Sequence, residues 1–363
     1  MDSAPDMFSK LPDELLSSIL SLIPIKEAVR CSVLSKRWRY LYTQMPQLTF
    51  SPYFIMGSRS VNPNPLSVAT VENIISNILL SHSCDLQSFY LSTHSLRPYS
   101  QWQFRYQSVM QWVQCAARKK VKNLGLCHSS ESVILVPAIF SCTLLRTLLL
   151  SNYIVSHIPL SFSGFNHLTI CHFFDIDFRN DSLSRFISHC PRLENLQITN
   201  SAEFYYRSGP QKLIISAPNI TIIAVEVYNV SRDFEPVELL AINCPKLEVF
   251  STIYSFIKDL RVNGLLFKEL SFVVQRLEMQ CGSNVIGLSL NSTWKKHNLS
   301  AERFLDIMAT FKLLKKLSVE WVARWSPNLM KIPLLNLLQT LPRLEHLDLT
   351  GINGFILVRI FFY

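Results

Sequence analysis

A pattern of the form L-x-x-L-x-L, with aliphatic or Phe substitutes, returns along most of this chain and constrains its fold more than any other feature. It is clearest at Leu145, Leu148 and Leu150, at Leu193, Leu196 and Ile198, and at Leu344, Leu347 and Leu349. Leu314, Leu317 and Val319, and Val121, Leu124 and Leu126, fit equally well, and weaker copies begin at Leu86, Phe165, Ile220, Leu247, Phe267 and Val285. The eleven starts lie 35, 24, 20, 28, 27, 27, 20, 18, 29 and 30 residues apart. A unit of that length cannot bury its own apolar residues, so copies must stack and share one core. The spacing predicts an α/β solenoid in which each unit supplies a short strand to a parallel sheet on the concave side.

A second regularity accompanies the first. Cys142, Cys190 and Cys244 stand three residues before Leu145, Leu193 and Leu247, and Ala217, Phe311 and Leu341 hold the same slot before Ile220, Leu314 and Leu344. A free thiol packs as a small hydrophobe, which makes these cysteines structural rather than nucleophilic. Between strands, Asp181–Ile187 and Glu302–Met308 read as helices, capped by Asp181 or Ser182 and by Ser300. The Asn or Cys usual after such a pattern is often missing, which marks a divergent repeat.

Side chains alternate across a strand, so the residues between the pattern leucines face outward. Those outward residues are Asn195, Gln197 and Thr199; Glu226; Ser271; Ser289 and Asn291; Lys316, Ser318 and Glu320; and His346, Asp348 and Thr350. Asn195, Gln197, Lys316, Glu320, His346 and Asp348 are the candidate target-binding residues. The mixture has no dominant sign, which argues against a phosphate cradle.

Ahead of the repeats, residues 11–41 hold three short helical patterns. Pro12 followed by Asp13 and Glu14 starts the first helix and suits the positive end of its dipole. Leu15, Leu16, Ile19, Leu20 and Ile23 form its apolar face, and Pro24 ends it. A second helix is expected from Lys26 to Val33 with Ile25, Val29 and Val33 buried. Ser35 is the expected cap of a third, where Trp38, Leu41 and Tyr42 share a face while Lys36, Arg37 and Arg39 stay wet. A module of this size is marginally stable alone and leans on a partner.

The wording Leu-Pro, Ile-Leu, a second Pro and Leu-Ser-Lys-Arg-Trp, in this order, resembles the F-box family. The repeats behind it resemble the leucine-rich repeats of plant F-box proteins. The resemblance implies docking on a Skp-family adaptor, and through it on a cullin, by Leu11, Pro12, Ile19, Leu20, Pro24, Ile25, Val29, Val33, Leu34 and Trp38. Ser35, Lys36 and Arg37 would edge that contact. Relatives of this kind often carry a further C-terminal domain, and none is recognisable in residues 354–363. That Phe-rich tail reads as the remnant of a truncated product in preference to a last capping strand, since repeat arrays usually end on a polar cap.

The organisation expected is therefore an F-box over residues 1–50, a linker with an amphipathic helix over 51–80, and repeats over 81–363. Val71, Ile74, Ile75, Ile78 and Leu79 form the apolar face of that helix, which is expected to cover the first repeat.

Composition narrows the function. Nine cysteines without a C-x-x-C pair argue against a disulfide framework and a zinc site. No apolar run is long enough to span a membrane, and Asp2 and Asp6 stand where a secretory signal would be basic. An intracellular place, nucleus or cytoplasm, is expected. The formal charge of +9 is spread over short clusters, at Arg118, Lys119, Lys120 and Lys122, at Lys295 and Lys296, and at Lys312, Lys315 and Lys316. These read as solvated faces rather than a nucleic-acid platform. No hydrolase, Walker, zincin or dinucleotide motif is present, so no catalysis, cofactor or metal is expected. The chain reads as a non-catalytic substrate receptor of an SCF-type ubiquitin ligase whose repeats bind a target protein. The alternative is a binding scaffold or decoy that holds the adaptor outside ubiquitin transfer.

Overall fold

A computed structural model describes residues 10–51, 67–93, 104–128, 133–201, 204, 211–228, 237–253, 257–262, 265–268, 276–281, 285–292, 305, 308, 309, 311, 313–321, 334–350 and 356–361. The chain divides into two compact units, Met1–Leu168 with Ile176–Asn180, and Thr169–Asp175 with Asp181–Tyr363.

The first unit opens with α1 (Asp13–Leu20), whose N-cap is Pro12 in an extended conformation, and α2 (Ile25–Arg30), which follows Pro24. A 3-10 turn at Cys31–Val33 and a longer one at Trp38–Gln44 complete the module. Leu16, Leu20, Ile25, Ala28 and Leu41 form its core. The second helix does not bury Val33 as its spacing suggested. The α-helix stops at Arg30, the chain tightens to 3-10 geometry, and Ala28 takes the inner place while Val33 is 85% exposed. Ser35 Oγ accepts the Trp38 N–H at 3.3 Å, but the segment begins only at Trp38 and its N-cap is Arg37, two residues later than expected. Arg37 ties the third segment back to α1, donating to Asp13 at 2.7 Å and to the carbonyl of Leu11.

Strands β1 (Gln47–Phe50), β2 (Ser88–Ser92), β3 (Asn123–Cys127), β4 (Val133–Ile134), β5 (Thr147–Ser151) and β6 (Tyr153–Val155) follow, with β8 (Asp177–Phe178) later in the chain. β1, β2, β3 and β5 pair in parallel, in a register that aligns Leu48, Phe89, Leu124 and Leu148 in one inner row. Phe50, Leu91, Leu126 and Leu150 align in the next, and all eight are buried. Burying side chains of this size contributes roughly 1.5–3 kcal/mol each, which explains why the period-2 rows hold register. β4, β6 and β8 form a small parallel sheet of their own. α3 (Val68–Ser81), capped by Ser67, buries Val71, Ile75, Ile78 and Leu79, and α4 (Tyr106–Arg118) packs against it, with Trp112 Nε1 donating to Ser76 Oγ at 2.9 Å.

β1 was not legible as a repeat. Met45, Leu48 and Phe50 repeat the pattern immediately after the helical module, and all three are buried. The array therefore has a rung before the one that starts at Leu86.

In the second unit, β7 (Ile170–Phe174), β9 (Asn195–Ser201), β11 (Ile222–Tyr228) and β13 (Val249–Ile253) are parallel. Their register aligns Cys171, Leu196, Ile223 and Phe250, all buried. The start read at Phe165 is corrected by three residues to Leu168, because Cys171 and Phe173 are the inner residues of β7. Phe165 instead holds the slot before the start: the Leu168 N–H donates to its carbonyl at 3.3 Å, as Leu145 does to Cys142 and Leu193 to Cys190.

Two further expectations change. β10 (Gln211–Ser216), β12 (Val237–Asn243) and β14 (Ile257–Val262) form a second parallel sheet where only helical returns were expected, and β15 (Leu265–Lys268) joins it antiparallel. The copy read at Phe267 thus belongs to this sheet. The main ladder is also not wholly parallel. β16 (Arg276–Cys281) runs against both β13 and β17 (Val285–Ser292), after which β18 (Lys316–Trp321) and β19 (His346–Thr350) are parallel again. β20 (Ile356–Phe361) pairs antiparallel with β19, so the described part of the Phe-rich tail is a strand. Helix α5 (Ser182–Ser188) forms as expected, though Asp181 at its N-cap makes no side-chain cap bond. Of the helix read at 302–308, Leu305 and Met308 are helical and the rest lies outside the described residues. α6 (Leu334–Thr340) precedes the last pattern copy.

Candidate functional site

Two surfaces carry the residues singled out by sequence. On the N-terminal module, Val33 and Leu34 are 85% and 66% exposed, Pro12 and Pro24 are exposed, and Ile19 is at the edge of exposure. Leu11, Val29 and Trp38 are half-buried, whereas Leu20 and Ile25 lie in the module's own core. The ten residues therefore divide into an outward set and two that hold the helices together.

Sequence reasoning missed several outward apolar side chains here. Leu15, Leu22, Ile23 and Tyr40 are exposed alongside Val33 and Leu34. Leu15 and Ile23 were assigned to the inner face of α1, but a short helix beside two short turns has room for only one row, which Leu16 and Leu20 take. Exposed apolar side chains in this number on about thirty residues mark an interaction surface, since isolated modules hide them.

The second surface is the outer face of the ladder. In the second unit Asn195 and Gln197 are half-buried on β9, beside Ile170 and His172 of β7 in register. Thr199 is buried and bridges the strands: it receives a bond from Gln197 Nε2 and donates to Glu226 Oε2, both at 3.4 Å. Burial holds His172 below the usual imidazole range, which keeps it neutral beside these amides. Phe174 and Ile222 are exposed on the same face and were overlooked, because only polar outward residues had been picked out. The alternation itself could have found them. Lys316 is exposed, and His346 and Asp348 are half-buried. Ser271 and the side chains of Ser289, Asn291, Glu320 and Thr350 lie outside the described residues.

The cysteines behave as the repeat slot demands. Cys142, Cys171, Cys190 and Cys244 are buried. Burial pushes the Cys142 and Cys190 thiols up to about 12, Cys127 to about 11, and Cys171 well above its ordinary value. None is a nucleophile at neutral pH. Among the described residues no three His, Cys, Asp or Glu side chains converge to hold a metal, and no helix is long and apolar enough to cross a membrane.

Just past β5 and β7 a polar residue is held in the turn. Asn152 adopts a positive φ of 62° and its Nδ2 donates to the His128 carbonyl at 2.8 Å. Asp175, with φ 49°, accepts from Ser201 N–H and Oγ. Asn and Asp tolerate this left-handed conformation, so in these two copies the residue thought missing is present one place earlier, as Asn or Asp.

Comparison with known proteins agrees with both halves. Residues 8–41 match the F-box domain, and residues 109–347 match the family described as FBD-associated F-box protein At5g56370, LRR repeats. The chain is 30% identical over 254 residues to the F-box/FBD/LRR-repeat protein At1g13570 of Arabidopsis thaliana, covering 69% of this chain and 54% of that protein. It is 30% identical over 197 residues to the F-box/LRR-repeat protein At3g26922 of the same plant, covering 53% of this chain and 59% of the relative. The chain thus spans about half the length of the curated relatives it matches.

Proposed function

The chain belongs to the plant family of FBD-associated F-box proteins with leucine-rich repeats, and on that premise we propose that it is the substrate-recognition subunit of an SCF-type cullin-RING ubiquitin ligase. F-box proteins with such repeats generally act as non-catalytic adaptors. In this reading the N-terminal module docks on a Skp-family protein and the outer strand face receives a target protein. The ligase chemistry belongs to other subunits.

The observation that carries the reading is the cluster of exposed apolar side chains on the module, Val33 and Leu34 above all. A surface of this kind needs a partner, and the F-box match supports a Skp-family one. Leu20 and Ile25 contribute by keeping α1 and α2 in place. In this reading Leu11, Pro12, Ile19, Pro24, Val29 and Trp38 supply the remaining contacts.

The test is co-purification of the full chain with a Skp-family adaptor. Val33→Asp with Leu34→Asp should abolish capture while leaving the melting midpoint unchanged, and so should Leu11→Ala, Pro12→Ala and Ile19→Ala together. Unchanged capture in both variants would sink the proposal. Retention of the adaptor without cullin would instead favour a scaffold outside ubiquitin transfer.

A further inference from the structure

Five cations meet at one rim of the first unit. Arg118 and Lys119 end α4, Lys120 follows it, and Lys122 and Arg146 stand at the entries of β3 and β5. Main-chain bonds bring them together: Leu86 N–H to Lys119 O and Arg146 N–H to Lys122 O, each 2.7 Å, with Lys122 N–H to Gln87 O at 3.2 Å. In sequence the first four read only as a solvated face. That reading could not show that Arg146, more than twenty residues on, joins them.

Helix capping does not account for the cluster. The last carbonyls of α4 are served by main-chain donors, Lys119 N–H to Cys115 O, Lys120 N–H to Ala117 O and Val121 N–H to Ala116 O, with Lys120 in the left-handed conformation at φ 57°. Lys119 Nζ donates to the His82 carbonyl at 2.6 Å, and Lys120 pairs with Asp85 at 3.1 Å. Arg118 Nε donates to the Gln114 carbonyl of its own helix at 3.5 Å, and Lys122 and Arg146 stand just ahead of adjacent, parallel-paired strands.

The second unit treats the same rung position differently. Thr221 N–H donates to Glu194 O and Glu248 N–H to Thr221 O, the same main-chain relation that joins Arg146 to Lys122. There the position carries Glu194, Thr221 and Glu248, and on later rungs Lys315 pairs with Glu345 at 2.6 Å. At this rung position the described rungs of the second unit carry acidic, neutral or ion-paired residues, so a basic pair there is not a demand of the repeat.

We propose that this rim, with Arg118, Lys122 and Arg146 at its centre, docks an acidic segment of the protein that the repeats recruit. The inference rests on the receptor reading above and names the class of sequence bound. Adjacent rungs lie about 4.8 Å apart and an extended chain advances about 3.3 Å per residue, so a few carboxylates in an extended stretch can match the rim. The cluster is short and, among the described residues, carries no aromatic platform, which favours an acidic peptide over a nucleic-acid strand.

The test titrates fluorescein-labelled hexaglutamate and hexaglutamine against the full chain held with its Skp-family adaptor, using the adaptor alone as blank. Hexaglutamate should bind about tenfold more tightly than hexaglutamine, and the difference should shrink as salt rises. Lys122→Glu with Arg146→Glu should remove the preference. Lys122→Gln with Arg146→Gln should weaken it while the melting midpoint and adaptor capture stay as in the parent. Equal binding of the two peptides, or a preference that survives charge reversal, overturns the inference. So does tighter binding of a labelled hexathymidylate with the same sensitivity to reversal, which would make the rim a nucleic-acid site. Loss of adaptor capture by the parent chain would strike the receptor reading instead.

Discussion

The ring of Tyr90 on β2 lies across Gly125 on β3, in the space that a Cβ at residue 125 would occupy. The two are direct register partners, so the Tyr90 ring can keep this place only while residue 125 has no side chain. Gly125→Ala should destabilise the first unit by about 1–3 kcal/mol, the usual cost of overpacking. Chemical denaturation of the single variant and of Gly125→Ala with Tyr90→Ala checks it: the second change should recover most of the loss. Equal destabilisation by both would show that the clash is not the cause.

Glu72 is almost wholly buried on α3 and accepts both the Arg105 main-chain N–H at 2.7 Å and its guanidinium Nε at 2.6 Å. It fixes the residue that opens α4. Removing one partner of a buried ion pair costs about 3–5 kcal/mol, but Arg105 is largely exposed and can be rehydrated, so Glu72→Ala should cost about 2 kcal/mol. Arg105→Ala, which leaves the carboxylate buried, should cost more than Arg105→Lys. Urea midpoints decide the order.

Burial is the first cause that lowers the ring pKa of His82, His128 and His172; at His82 the neighbouring Lys119 adds to it against a bond to the Met45 carbonyl. The folded chain therefore binds protons less readily than the unfolded chain, whose histidines titrate near 6.5. Stability should be flat above that value and fall as pH drops below it toward the folded pKa values. Denaturation midpoints at several pH values from neutral to mildly acidic would show the slope, and His82→Gln should reduce it. Rising stability on acidification in this window would contradict the sign.

The thiols of Cys142, Cys171 and Cys190 are buried and held strongly protonated. At mildly alkaline pH they should stay unlabelled by iodoacetamide in the native chain and react at once in denaturant, as peptide mass mapping would reveal. Cys190→Ser should cost stability, because a hydroxyl replaces a buried sulfur that donates to the Phe186 carbonyl at 3.1 Å.

What the sequence revealed follows from how far apart the deciding contacts lie. Leu193, Leu196 and Ile198 declare their strand because period and burial coincide within six residues. The helical module was legible for the same reason. Phe165 misled because two apolar residues three apart, Phe165 and Leu168, both satisfy the first place of the pattern, and only pairing with β9 settles the register. The returns β10, β12 and β14 were missed because a short apolar run such as Leu213, Ile214 and Ile215 does not announce whether it will find a partner strand. On the docking module, spacing identified which residues are apolar but not which of two apolar rows turns inward. Ile25 and Val33 were read alike, and one is buried while the other is bare.

The join between module and repeats has a mechanical meaning. The last 3-10 turn ends at Gln44, β1 begins at Gln47, and residues 82–88 grip the stretch between, Ser83 N–H to Thr43 O at 2.8 Å, His82 Nε2 at 2.9 Å from Met45 O, and Gln87 N–H to Pro46 O at 2.7 Å. Two chain segments nearly forty residues apart are thus spliced where a swivel could have been. A torque on the helical module passes straight into the first rungs, so whatever those rungs hold is carried at a fixed angle to whatever holds the module, like a tool on a welded handle.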